Sequence, residues 1–125
     1  NYTNDSVLIH GDPVFTNILL ENDNYKFIDM RGSVGDKLTI YGDKLYDLSK
    51  IYQSLIGYDE ILKDKKISEE YRNKMINIFN EFVETNYDKT SLDKIKDIVN
   101  LLIFTLIPLN DDDKKFKFYN LINIE

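Results

Sequence analysis

The hydrophobic pattern of this chain changes period once, near residue 43, and that switch limits what it can fold into. Before it, apolar runs are short and broken by turn-forming residues. Ser6-Val7-Leu8-Ile9 stops at His10-Gly11-Asp12-Pro13. Asn17-Ile18-Leu19-Leu20 is separated from Tyr25-Lys26-Phe27-Ile28-Asp29 by Glu21-Asn22-Asp23-Asn24. Two short runs joined by four turn-type residues predict a β-hairpin. Gly32, Gly35 and Gly42 then mark an irregular loop.

After the switch, apolar residues recur at helical spacing. Leu45, Leu48, Ile51, Tyr52 and Leu55 define a first helix, with Gly57 as its stop. Ser68 opens a second, with Glu69 and Glu70 in its first turn and Tyr71, Met75, Ile78, Phe79 and Phe82 as its inner face. A third is predicted from about Thr90, with Asp93 completing a capping-box pattern, to about Ile107, where Pro108 ends it. Its second half is apolar on nearly every side, which places it at the centre of the core. Asp111, Asp112 and Asp113 open a last helix, with Phe116, Tyr119 and either Leu121 or Ile122 inward. The predicted fold is α+β and mostly helical: a single domain over 1–125, loop-rich in 1–42 and built of about four helices in 43–125.

A length of 125 residues allows one core but not two. With no cysteine, disulfides and thiolate metal sites are excluded. The net charge is −6 with no long basic run, which argues against nucleic acid and anionic membrane surfaces as partners. The most apolar stretch, Ile98 to Leu109, is too short to span a bilayer, and Asn1 to Asp5 has no signal-peptide character. A cytoplasmic location is expected.

The chemistry concentrates in His10-Gly11-Asp12-Pro13-Val14-Phe15-Thr16-Asn17 and Phe27-Ile28-Asp29-Met30-Arg31-Gly32. Asp12 follows the histidine by two, Asn17 follows Asp12 by five, and Asp29 ends the next predicted strand. This spacing resembles a kinase catalytic loop followed by a metal-holding aspartate. Mg²⁺ prefers hard oxygen ligands, which Asn17 and Asp29 would supply from the two sides of one hairpin. An attacking hydroxyl needs a positioned proton acceptor, and Asp12 sits at a loop tip between Gly11 and Pro13. His10 reads as a structural residue that holds the loop. Asp47, near a helix start, either caps that helix or braces the loop from below. Arg31 reads as a surface salt-bridge partner, and Asp111 to Asp113 as a solvated helix start.

Taken with Tyr46-Asp47-Leu48-Ser49-Lys50, these motifs resemble the aminoglycoside phosphotransferase and choline kinase superfamily, strongly over residues 6–59 and in kind beyond. The resemblance implies the C-terminal lobe of a protein-kinase-like fold, with catalytic and metal loops in 1–42. It implies ATP or GTP with Mg²⁺, and phosphoryl transfer to a hydroxyl of a small molecule such as an aminoglycoside, choline or a sugar. By matching position, Asp12 would be the catalytic base, Asn17 and Asp29 the metal ligands, and His10 and Asp47 supporting residues. No Gly-x-Gly-x-x-Gly and no GxxxxGK[ST] occurs, so the nucleotide-binding N-terminal lobe is expected to be missing. Whether the chain acts alone stays open. The alternative is a non-catalytic, kinase-like lobe kept for docking a partner or ligand.

Overall fold

A computed structural model describes residues 6–122; the reading of Asn1 to Asp5 lies outside them. The first third holds six short strands: β1 (Val7–Leu8), β2 (Ile18–Glu21), β3 (Asn24–Phe27), β4 (Ser33–Val34), β5 (Lys37–Leu38) and β6 (Tyr41–Gly42). They form three antiparallel pairs, β1 with β6, β2 with β3, and β4 with β5. The β2–β3 register runs from Ile18 opposite Phe27 to Glu21 opposite Asn24, leaving a two-residue turn. That turn takes positive φ at both positions, 49° at Asn22 and 62° at Asp23. Asn and Asp tolerate the left-handed region better than other side chains, which is why this tetrapeptide closes a tight hairpin.

Five helices follow: α1 (Lys44–Leu55), α2 (Tyr58–Lys63), α3 (Glu69–Asn86), α4 (Ser91–Leu106) and α5 (Asp112–Tyr119). The fold is therefore α+β with helix dominant. Asp43 caps α1 by accepting from Leu45 N–H, Ser68 caps α3 through Tyr71 N–H, and Asp111 caps α5 through Lys114 N–H. Gly57, with φ 121°, lets the chain turn between α1 and the unforeseen short helix α2. Thr90 does not form the expected capping box. It takes helical angles (φ −87°, ψ −5°), and an N-cap side chain needs an extended backbone to reach the third amide. Pro108 lies in a 3₁₀ turn that carries the chain out of α4. No helix among the described residues is long and apolar enough to cross a membrane.

The core joins Leu55, Phe79, Val83, Ile95, Val99, Ile103 and Phe118, with α1 laid along α4. Burying such side chains contributes about 1.5–3 kcal/mol each, so the helical part has its own core. Between residues 6 and 42 the buried apolar side chains are few: Ile9, Pro13 and Val14. The loop segment must therefore be held largely by hydrogen bonds to the helices.

Three helix faces differ from the sequence expectation. In α3 the inward stripe is Met75, Ile76, Phe79 and Val83, while Tyr71, Ile78 and Phe82 are exposed. The two candidate stripes carry similar apolar content, and Val83 with Ile76 decides the rotation. In α5 Phe118 is fully buried against Tyr58, while Phe116 and Tyr119 point outward. Lys114 and Lys115 lie on the partly buried side of this helix. In α4 one stripe (Ile95, Val99, Ile103) is buried, but Leu101 and Phe104 are 67% and 64% exposed. The helix packs mainly on α1, α3, α5 and the 3₁₀ turn that follows it, which leaves these two side chains open.

Candidate functional site

The loop 10–17 is mounted on one face of α1. Asp47, in the first turn, turns its carboxylate to the loop and accepts two main-chain amides: His10 N–H on Oδ2 at 2.7 Å and Gly11 N–H on Oδ1 at 2.8 Å. Two turns further along, Ser54 Oγ accepts Phe15 N–H at 3.0 Å. Between them, Lys50 places its ammonium 3.1 Å from Asp12 Oδ1. Residues 47, 50 and 54 are three and four apart, so they share a helix face. The cap of α1 is Asp43, which leaves Asp47 free to brace the loop.

Within the loop, Asn17 Nδ2 donates to the main-chain oxygen of Asp12 at 3.0 Å and to Asp12 Oδ2 at 3.3 Å. The Asp12 carboxylate is thus held on both oxygens, by Lys50 on one and Asn17 on the other. Its side chain remains 38% exposed, so a small molecule can still reach it. His10 Nδ1 accepts Asp12 N–H at 3.2 Å, which makes the neutral ring the Nε2–H tautomer. That Nε2 is buried without a partner, and the ring packs against Phe27 at 5.8 Å between centroids.

Asp29 follows the hairpin and sits between two backbone links to the loop. Ile28 N–H donates to Asn17 O and Arg31 N–H donates to His10 O, both at 3.0 Å. Asp29 itself takes φ 57°, a left-handed conformation that costs on the order of 1–3 kcal/mol unless its surroundings enforce it. The two links flank Asp29 and place Ile28 beside Asn17 and Arg31 beside His10. Its side chain is exposed. Arg31 makes no salt bridge among the described residues; its Nη1 donates to Tyr46 OH at 2.9 Å. The close approach explains Gly11, whose φ is 84° and where an added Cβ would lie 2.8 Å from Arg31 Cβ.

The donor set suits a hard cation. Asn17 commits its NH₂ to Asp12, so its Oδ1 is left for another partner, and Asp29 contributes a carboxylate. Among the described residues, no group of three or more His, Cys, Asp or Glu side chains is arranged to hold a metal. One amide oxygen and one carboxylate match Mg²⁺, which keeps several waters and takes further ligands from phosphates. Asp111 to Asp113 serve as helix cap and ion-pair partners of Lys115 and Lys117.

Sequence reasoning passed over Lys50, Ser54 and Tyr58. The first two continue from Asp47 at helical spacing, but that spacing does not say which helix face meets the loop. Tyr58, at the start of α2, has its phenol pKa raised above 10.0 by burial first, then by the charges of Asp12 and Asp59. Its hydroxyl therefore lies within electrostatic reach of Asp12. No family model, no curated protein and no solved structure matches this chain.

Proposed function

We propose that this chain is the C-terminal lobe of a small-molecule phosphotransferase, moving the terminal phosphoryl group of ATP or GTP to a hydroxyl. The observation that carries the reading is Asp12, a reachable carboxylate clamped by Lys50 and Asn17 on a loop that Asp47 holds to α1. A carboxylate fixed in this way can take the proton of an attacking hydroxyl. Asn17 and Asp29 would hold Mg²⁺, which would neutralise the charge of the transferred group. Such a co-substrate suits a cytoplasmic protein.

The loop segment also presents apolar side chains that nothing covers among the described residues. Leu8, Leu20, Tyr25 and Phe27 are 63%, 62%, 69% and 56% exposed, and Val7 is 39% exposed. A two-stranded hairpin is marginal by itself, so a covering element fits this face. That supports docking of a nucleotide-binding lobe. The same exposure favours the second reading, a docking module without catalysis.

The test is nucleotide turnover by the full-length protein with Mg²⁺, ATP or GTP, and a panel of aminoglycosides, choline and sugars. Acceptor-dependent release of the nucleoside diphosphate is expected, and Asp12→Asn should lower it by about 10²–10⁴-fold. Nucleotide-independent partner binding, with no turnover on any acceptor, would favour the docking module.

A further inference from the structure

We infer that Lys50 is a positioning residue of this site, whose ammonium fixes the Asp12 carboxylate in the orientation that accepts a hydroxyl proton. The inference rests on the phosphotransfer reading. Lys50 is unusual for a lysine: its side chain is only 15% exposed, while its partner Asp12 is 38% exposed. The lysine side chain is therefore mostly covered, while the carboxylate it pairs with stays reachable. A cation there costs desolvation and persists where a partner compensates it. It stands 3.1 Å from Asp12 Oδ1 and 6.0 Å from the centre of the Tyr46 ring.

A carboxylate on a two-torsion side chain has several orientations. Asn17 restrains Oδ2 through a long bond of 3.3 Å, which alone fixes the group poorly. Lys50 supplies the second point and defines the carboxylate plane. It does so from α1, the helix whose Asp47 and Ser54 fix the loop backbone. Backbone and side chain of the proton acceptor are thus referred to one helix.

The experiment uses the full-length protein with any cysteine outside these 125 residues replaced by serine, since these residues contain none. Lys50→Cys removes the ammonium, and alkylation with bromoethylamine in denaturant, followed by refolding, restores one of lysine-like length. Lys50→Met serves as a second ammonium-free protein, and circular dichroism verifies folding of each. The first readout is the side-chain NH₂ signal of Asn17, which reports Asp12 orientation without needing turnover. It should move in both ammonium-free proteins and return on alkylation. The second readout is turnover on the most active acceptor of the panel: kcat falls on the order of 10²-fold, KM for MgATP holds, and alkylation restores kcat. An unmoved Asn17 signal in folded Lys50→Met, or alkylation that restores neither readout, overturns the inference. If the Asn17 signal responds as expected and no protein turns over, the phosphotransfer reading fails while the control of Asp12 by Lys50 stands.

Discussion

Asp47 holds Gly11: its Oδ1 accepts the Gly11 amide at 2.8 Å while Oδ2 takes the adjoining amide of His10 at 2.7 Å. One carboxylate at the start of α1 thereby satisfies two consecutive donors in a loop with almost no core of its own. The pair spans 36 positions of sequence, so it ties the β-rich segment to the helical one. Hydrogen bonds to charged groups are worth more than neutral ones, and an amide left without a partner is costly.

Asp47→Ala should therefore destabilise the fold by about 2–4 kcal/mol, and Asp47→Asn by less, because an amide oxygen still accepts one bond. Urea denaturation gives the cost. Hydrogen exchange at the His10 and Gly11 amides gives the location: both should lose protection in the alanine variant before residues of α4 do. Equal protection in wild type and variant would show that Asp47 does not hold the loop.

Glycine at position 11 serves both conformation and space. Gly11→Ala places a Cβ at φ 84° and 2.8 Å from Arg31 Cβ. Gly32 has a similar φ of 65° with nothing within 4 Å. Left-handed strain alone costs about 1–3 kcal/mol, so Gly32→Ala should show that cost and Gly11→Ala should exceed it. Thermal melts of the two variants make the comparison. Equal shifts would mean that the 28–31 segment does not press on the loop.

The hairpin was legible in the sequence from Glu21-Asn22-Asp23-Asn24, but its register was not: Glu21 and Asn24 pair as strand residues and only Asn22 and Asp23 form the turn. That Asp12 and Asn17 share one loop was legible because the spacing between them is local. Lys50 was not, since its meaning depends on which helix face meets the loop. The same limit explains α3 and α5. Phe79 was placed correctly, but Phe82 and Phe116 were not, because aromatic residues occupy more than one face and tertiary packing selects between them. Asp47 stood between cap and brace until Asp43 was seen to fill the cap.

Alkaline pH should weaken the fold through Tyr52 and Tyr58. Burial raises both phenol pKa values above 10.0, and the Asp12 and Asp59 charges raise Tyr58 further. A raised folded-state pKa means that the unfolded chain loses its proton first. Stability is then full below about pH 10 and falls as pH rises through the folded-state values. Urea midpoints measured from neutral to strongly alkaline pH should show this decline. Tyr58→Phe should make it shallower, because phenylalanine cannot ionise. A slope unaffected by Tyr58→Phe would remove Tyr58 as a contributor.

The Lys50–Asp12 pair should respond asymmetrically to losing either member. Asp12→Asn leaves the ammonium of a side chain that is 15% exposed facing a neutral amide, and the uncompensated charge should cost about 1–3 kcal/mol. Lys50→Met leaves a carboxylate that is 38% exposed, which water and Asn17 can still serve, so about 1 kcal/mol or less is expected. Combining the two removes both charges, and the double variant should be more stable than Asp12→Asn alone. Urea denaturation of all four proteins closes the cycle. Costs that simply add, within about 0.3–0.5 kcal/mol, would mean the two side chains do not sense each other in solution. The asymmetry also governs how turnover is read. Loss of activity in Asp12→Asn counts as loss of a proton acceptor only after its folded fraction is measured, since the same substitution leaves Lys50 without its counter-charge.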